Sequence, residues 1–129
     1  MMNESFFRNL FRLAAIYNIT VGTAVVLFPQ TFFQLFNLPE INYSYVMSGL
    51  GMFVGIYGYG FYLVSLDLRR NHHFAILGLV GKSFGIVGWG YYTYLGIIPF
   101  SALWTNFFND IIWIPPFIAY FFWRTKISS

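Results

Sequence analysis

The residues best placed to do chemistry are a lysine and an acid set in apolar sequence: Lys82 in Gly78-Leu79-Val80-Gly81-Lys82, and Asp110 at the end of Asn106-Phe107-Phe108-Asn109-Asp110. Ionisable groups in such surroundings cost on the order of 3 kcal/mol each at a membrane-helix centre, so they mark a functional site by default. Asn18, Lys82, Asn106, Asn109 and Asp110, with Trp113 one turn further on, form a candidate cluster for a proton, an ion or a small ligand. Asn18 lies on one line of its helix with Ala15 and Gly22.

Whether Lys82 and Asp110 meet decides what the cluster can do. Counted along their helices, they differ in depth by about 8 Å, close to the reach of one extended lysine. Helical side chains lean toward their own N-terminus, which draws Lys82 inward and Asp110 outward and opposes a pair. The competing reading has Lys82 snorkelling to the inner headgroups and Asp110 acting as an early-helix acid near a positive dipole end. An Asp110 buried without a cation becomes a proton-binding group. Pro115-Pro116 removes two backbone donors just beyond it, which predicts a kink and freed carbonyls near Ile111 and Ile112.

Other chemistry finds little footing. The chain has no cysteine, which excludes disulfides, thiol nucleophiles and Cys-ligated metals. No histidine lies within an apolar stretch, and adjacent His72 and His73 are expected to point apart as solvated loop residues. No paired acids, Ser-His-Asp set or phosphate-cradling loop is present, so the reading is non-enzymatic, with no metal and no cofactor.

The elements that position the cluster are four apolar stretches of about Phe11–Phe28, Tyr45–Leu66, Phe74–Leu95 and Trp104–Trp123, each near the roughly 20 residues a bilayer core requires. Composition agrees: 58% of the 129 residues are hydrophobic and 9% charged, against a globular average of about 25% charged. Six of the seven Lys and Arg residues flank these stretches on one side: Arg8, Arg12, Arg69, Arg70, Arg124 and Lys126. That asymmetry predicts a single-domain, all-α bundle of four transmembrane helices in the cell inner membrane, with both termini cytoplasmic. The net charge of +3 belongs to these flanks, where it faces anionic lipid, and is no sign of nucleic-acid binding.

The first stretch ends in Pro29-Gln30-Thr31 with no small-residue cleavage site after it, so it reads as an uncleaved span. Pro29 and Pro99 each precede a candidate N-cap, Thr31 and Ser101, and Phe32–Phe36 reads as a short interfacial helix. Tyr43, Tyr45, Tyr91, Tyr92, Tyr94 and Trp104 suit an outer aromatic belt, and Trp123 an inner one.

Small residues recur at matched intervals: Ser48, Gly51, Gly55 and Gly58 in the second span, and Gly78, Gly81, Gly85 and Gly88 in the third. Two such stripes joined by a seven-residue link predict close antiparallel packing of spans two and three through Gly51-x-x-x-Gly55 and Gly81-x-x-x-Gly85, with contact between protomers as the alternative use.

Tyr17-Asn18, Gly81-Lys82-x-x-Gly85 and Asn109-Asp110-x-x-Trp113-x-Pro115-Pro116-Phe117 together resemble small four-span bacterial inner-membrane proteins. The likeness covers most of the chain and implies a fold, but neither substrate nor activity. Small multidrug exporters fit poorly, since they carry an acid in span one and this chain has none; the charge asymmetry also opposes the dual topology common to them and to fluoride channels. The leading expectation is a binding or transport protein whose partner is the bilayer, as a homo-oligomer or alone. An accessory or assembly subunit of a larger membrane complex comes second, and a lipid-acting membrane enzyme third.

Overall fold

The computed structural model describes residues 3–35, 38–39 and 42–128. Among the described residues the structure is helical, with short connections and no strand. In chain order the helices are α1 (Glu4–Leu27), α2 (Pro29–Leu35), α3 (Ser44–Leu66), α4 (His72–Tyr94), α5 (Leu103–Asn109) and α6 (Ile114–Ser128), with 3-10 turns at Phe100–Ala102 and Ile111–Trp113. Three of them, α1, α3 and α4, are long and apolar enough to cross a membrane.

α1 begins at Asn3, whose side chain accepts a hydrogen bond from the Phe6 amide at 3.0 Å and so satisfies an orphan donor of the first turn. Phe7, Phe11, Ala14, Asn18, Gly22 and Val25 recur every three or four residues and form its buried stripe. The lower half of that stripe enters an aromatic core. Phe11 packs on Phe117 with centroids 4.9 Å apart and on Tyr120 at 4.8 Å, while Phe61 of α3 meets Phe117 at 5.3 Å. Phe7, Phe11, Phe117 and Tyr120 are fully buried.

The same end of the bundle is tied by its backbone. The Tyr120 hydroxyl donates to the Leu68 carbonyl, and the Arg124 guanidinium donates to the Arg69 carbonyl at 3.0 and 3.3 Å. The start of α1, the 67–71 link and the end of α6 therefore lie together, and this end carries all six flanking basic residues. At the other end α4 stops in a turn closed by Gly96 at φ 78°, a left-handed position that glycine takes without strain. Taken together, α5 and α6 run back against α4.

That return path is not the single helix expected from Trp104 to Trp123. α5 ends at Asn109, one 3-10 turn follows, and Pro115 and Pro116 sit in the first turn of α6. Prolines are harmless there, because first-turn amides have no intrahelical acceptor anyway. The interruption thus falls a turn earlier than expected and also frees the carbonyls of Phe108 and Asn109, while the Ile111 carbonyl takes the Ile114 amide.

The glycine seam joins a different pair of helices from the one expected. The α3 stripe packs on α1: a Cβ on Gly22 would lie 2.6 Å from the Gly51 carbonyl oxygen and 2.7 Å from the Gly55 nitrogen, and a Cβ on Gly58 would lie 2.9 Å from the Ile19 nitrogen. Ser48 adds a hydrogen bond to the Val26 carbonyl at 3.0 Å. Backbones approach this closely only where side chains are missing on both helices. The α4 stripe instead receives side chains, with Gly78 against Phe61 and Phe117, Gly81 near Tyr57 and Gly85 against Asp110, while Gly88 faces open space.

Three smaller expectations also shift. α2 begins at Pro29 and runs through Thr31, so Thr31 is not its cap; Phe36 lies outside the described residues. A 3-10 turn takes in Ser101, so the helix start expected there begins at Phe100. His72 and His73 do not point apart: their rings face one another 3.9 Å apart at the start of α4.

Candidate functional site

The interruption between α5 and α6 builds the site. Beyond its last turn, α5 presents carbonyls with no amide from a following turn, and in apolar surroundings each must find another donor. The Asp110 amide takes the Asn106 carbonyl at 2.8 Å, and the Trp113 indole takes that of Phe108 at 2.8 Å. The Lys82 ammonium, reaching over from α4, takes that of Asn109 at 2.5 Å. A cation at this position also faces the negative end of the α5 dipole.

Lys82 therefore does not snorkel. It is 7% exposed, with its ammonium 5.7 Å from the Phe61 ring centroid and 5.8 Å from that of Trp113, inside the range of cation–π attraction. Reaching the Asn109 carbonyl gives each group a partner, which the inner headgroups could not do for the carbonyl.

Asp110 is the residue at the break, with φ −125° and ψ −55°. It stands at the C-terminal end of α5, not in the early-helix position expected of it, and because its backbone is not helical the N-terminal lean does not govern its side chain. The Asn106 amide donates to its Oδ2 at 2.7 Å, and the carboxylate sits against Gly85, where any side chain would displace it. No direct ion pair joins Lys82 to Asp110, although both line the same cavity.

The remaining members of the cluster brace this arrangement. Asn109 accepts a short hydrogen bond from the Tyr17 hydroxyl through its side chain, so α1, α4 and α5 converge on one residue. Asn18, also on α1, donates to the Val54 carbonyl of α3 at 3.3 Å. Asn106 is 3% exposed. Trp113 packs at a tilt beside Tyr17 with centroids 5.6 Å apart. Thr105, one residue before Asn106, has a buried hydroxyl with no hydrogen-bond partner among the described residues.

Asn18, Lys82 and Asp110 line one cavity of about 180 Å³ together with Val54, Tyr57, Phe61, Gly78 and Gly81. Asn106, Asn109 and Trp113 stand behind it and orient its charged groups. Sequence reasoning missed Tyr17 as a brace and Tyr57 and Phe61 as walls. Tyr17 was legible as the neighbour of Asn18, whereas Tyr57 and Phe61 were lost among 27 Phe and Tyr residues. Among the described residues no group of three or more His, Asp or Glu side chains gathers as a metal site would require.

The fold and the site define an all-helical protein with three helices able to cross a membrane and a buried lysine and acid sharing one cavity. No family model matches the chain, and neither a curated protein nor a solved structure matches it. Its functional reading therefore stands on the site alone.

Proposed function

We propose that the chain is a multi-pass inner-membrane protein of four spans with both termini cytoplasmic, and that the Lys82–Asp110 cavity binds a small polar ligand, with Asp110 able to carry a proton. The fourth crossing would be α5 and α6 in series. Their 26 residues from Leu103 to Ser128 would cover about 39 Å at 1.5 Å per residue, more than a hydrocarbon core of about 30 Å. The cytoplasmic assignment rests on the six basic residues at one end.

A single observation carries the binding role: a lysine and an acid line the same cavity without neutralising one another by direct contact. Ionisable groups in an apolar bundle pair with one another or with backbone carbonyls, and they mark ligand or proton sites by default.

The test is the thermal stability of the purified protein in detergent against a panel of small polar solutes, at neutral and acidic pH. Some member of the panel should raise the melting temperature of the wild type, and Asp110→Asn should fold normally yet lose that response. A panel with no effect, together with Asp110→Asn identical to wild type throughout, would remove the reading. Copurification of a stoichiometric larger membrane protein would favour the accessory-subunit alternative instead.

A further inference from the structure

We infer that the cavity selects a small zwitterion of the amino-acid class, an inference that rests on the binding role proposed above. The argument is one of charge, donors and volume. Lys82 has three N–H donors, of which the Asn109 carbonyl takes one, so two remain for a carboxylate. Asp110 gives one oxygen to the Asn106 amide and keeps the other for an ammonium donor. The two charges share the cavity but do not touch.

Each half-ligand would leave a fault. A bare anion would pair with Lys82 and leave Asp110 facing added negative charge, whereas a bare cation would meet Asp110 but lie close to the Lys82 ammonium. Net charge brought into a low-dielectric site is costly unless compensated. A zwitterion brings none, and its two ends complement the two residues. Hydrogen-bonding groups on the wall can fix its orientation, since the Tyr57 hydroxyl lies near Gly81 and has no hydrogen-bond partner among the described residues.

Volume sets the size. The cavity of about 180 Å³ slightly exceeds the ~150 Å³ of an apolar cavity known to hold benzene, which suits roughly six to eight heavy atoms, as in alanine or proline. Gly81 forms part of that wall, and a Cβ there would stop 3.6 Å from the Tyr57 oxygen, in ordinary contact. Gly81→Ala should therefore fold and reduce the space without altering either charge.

The decisive experiment is calorimetric titration of the full-length protein in lipid nanodiscs with alanine, proline, acetate and methylammonium. Alanine should bind at least about tenfold more tightly than acetate or methylammonium, a gap of 1.4 kcal/mol. Asp110→Asn should weaken alanine binding by at least that factor, and Gly81→Ala should weaken proline more than alanine. Acetate or methylammonium binding as tightly as alanine would overturn the zwitterion assignment while leaving a ligand site in place. Alanine and proline both silent, with another solute stabilising wild type but not Asp110→Asn, would overturn it in the same way. If every solute is silent, both the assignment and the binding role fall.

Discussion

The ammonium of Lys82 ends 2.5 Å from the carbonyl oxygen of Asn109, on a different helix and 27 residues further along the chain. That contact explains why a lysine is held at 7% exposure. The helix break at Asp110 leaves α5 with a free carbonyl end, and Lys82 is the donor that reaches it. The lysine supports the break and the break retains the lysine, while the ammonium keeps two further donors beside the cavity.

Replacing Lys82 by Met should lower stability in detergent, because a buried carbonyl loses its donor at a typical cost of about 1–3 kcal/mol and Asp110 loses its nearby cation. Asp110→Asn should be milder, since the amide is nearly isosteric and carries no charge. In the double variant, removing Asp110 should recover part of what Lys82→Met loses. Chemical denaturation of all four proteins measures the coupling, and strict additivity would show that the two residues do not sense one another.

Gly22→Ala and Gly51→Ala should each be destabilising by about 1–3 kcal/mol, the usual cost of overpacking, since a Cβ at either position would fall within 3.0 Å of the opposite helix. Gly88→Ala, by contrast, meets nothing within 4 Å and should be neutral or stabilising by up to about 1 kcal/mol, because alanine is the better helix former. Equal melting temperatures for Gly22→Ala and wild type would refute the α1–α3 seam.

These contrasts show what the sequence could and could not disclose. Intervals of three and four residues identify a smooth stripe on α3, but a stripe carries no label for the helix it meets. The useful clue was Gly22 standing on one line with Asn18 and Ala15, since all three turn out to be buried on α1. The polar cluster was legible because charges in apolar sequence are conspicuous. Its geometry was not, because the depth estimate assumed one continuous final helix, and the break at Asp110 both redirects that side chain and creates the acceptor that holds Lys82.

Topology follows from the basic end. Reporter fusions after His73 and after Ser128 should both read cytoplasmic, while one after Tyr43 should read external. A fusion at Ile97 should also read external if α5 and α6 together form the fourth crossing. An external reading for the C-terminus with a cytoplasmic one after His73 would show that the final segment does not cross.

The 67–71 link provides a test that is independent of the cavity. Asp67 Oδ1 accepts hydrogen bonds from the backbone amides of Arg70 at 3.0 Å and Arg69 at 3.1 Å, and Oδ2 lies 3.9 Å from the Arg70 guanidinium. The Arg70 amide first, then the Arg69 amide and the two guanidinium charges, hold its carboxyl below the usual value of 3.8. A carboxyl whose value is lowered on folding stabilises the fold above its unfolded value, and that contribution disappears as pH falls through the lower, folded one. The stability difference between wild type and Asp67→Asn should therefore be steady near neutral pH and shrink only below 3.8. Because the side chain is about half exposed to solvent, the difference should be small and should weaken further in salt. Carboxyl NMR of Asp67 in micelles gives the direct measurement, and a titration midpoint at or above 3.8 would show that the amides of Arg69 and Arg70 do not grip the ionised form.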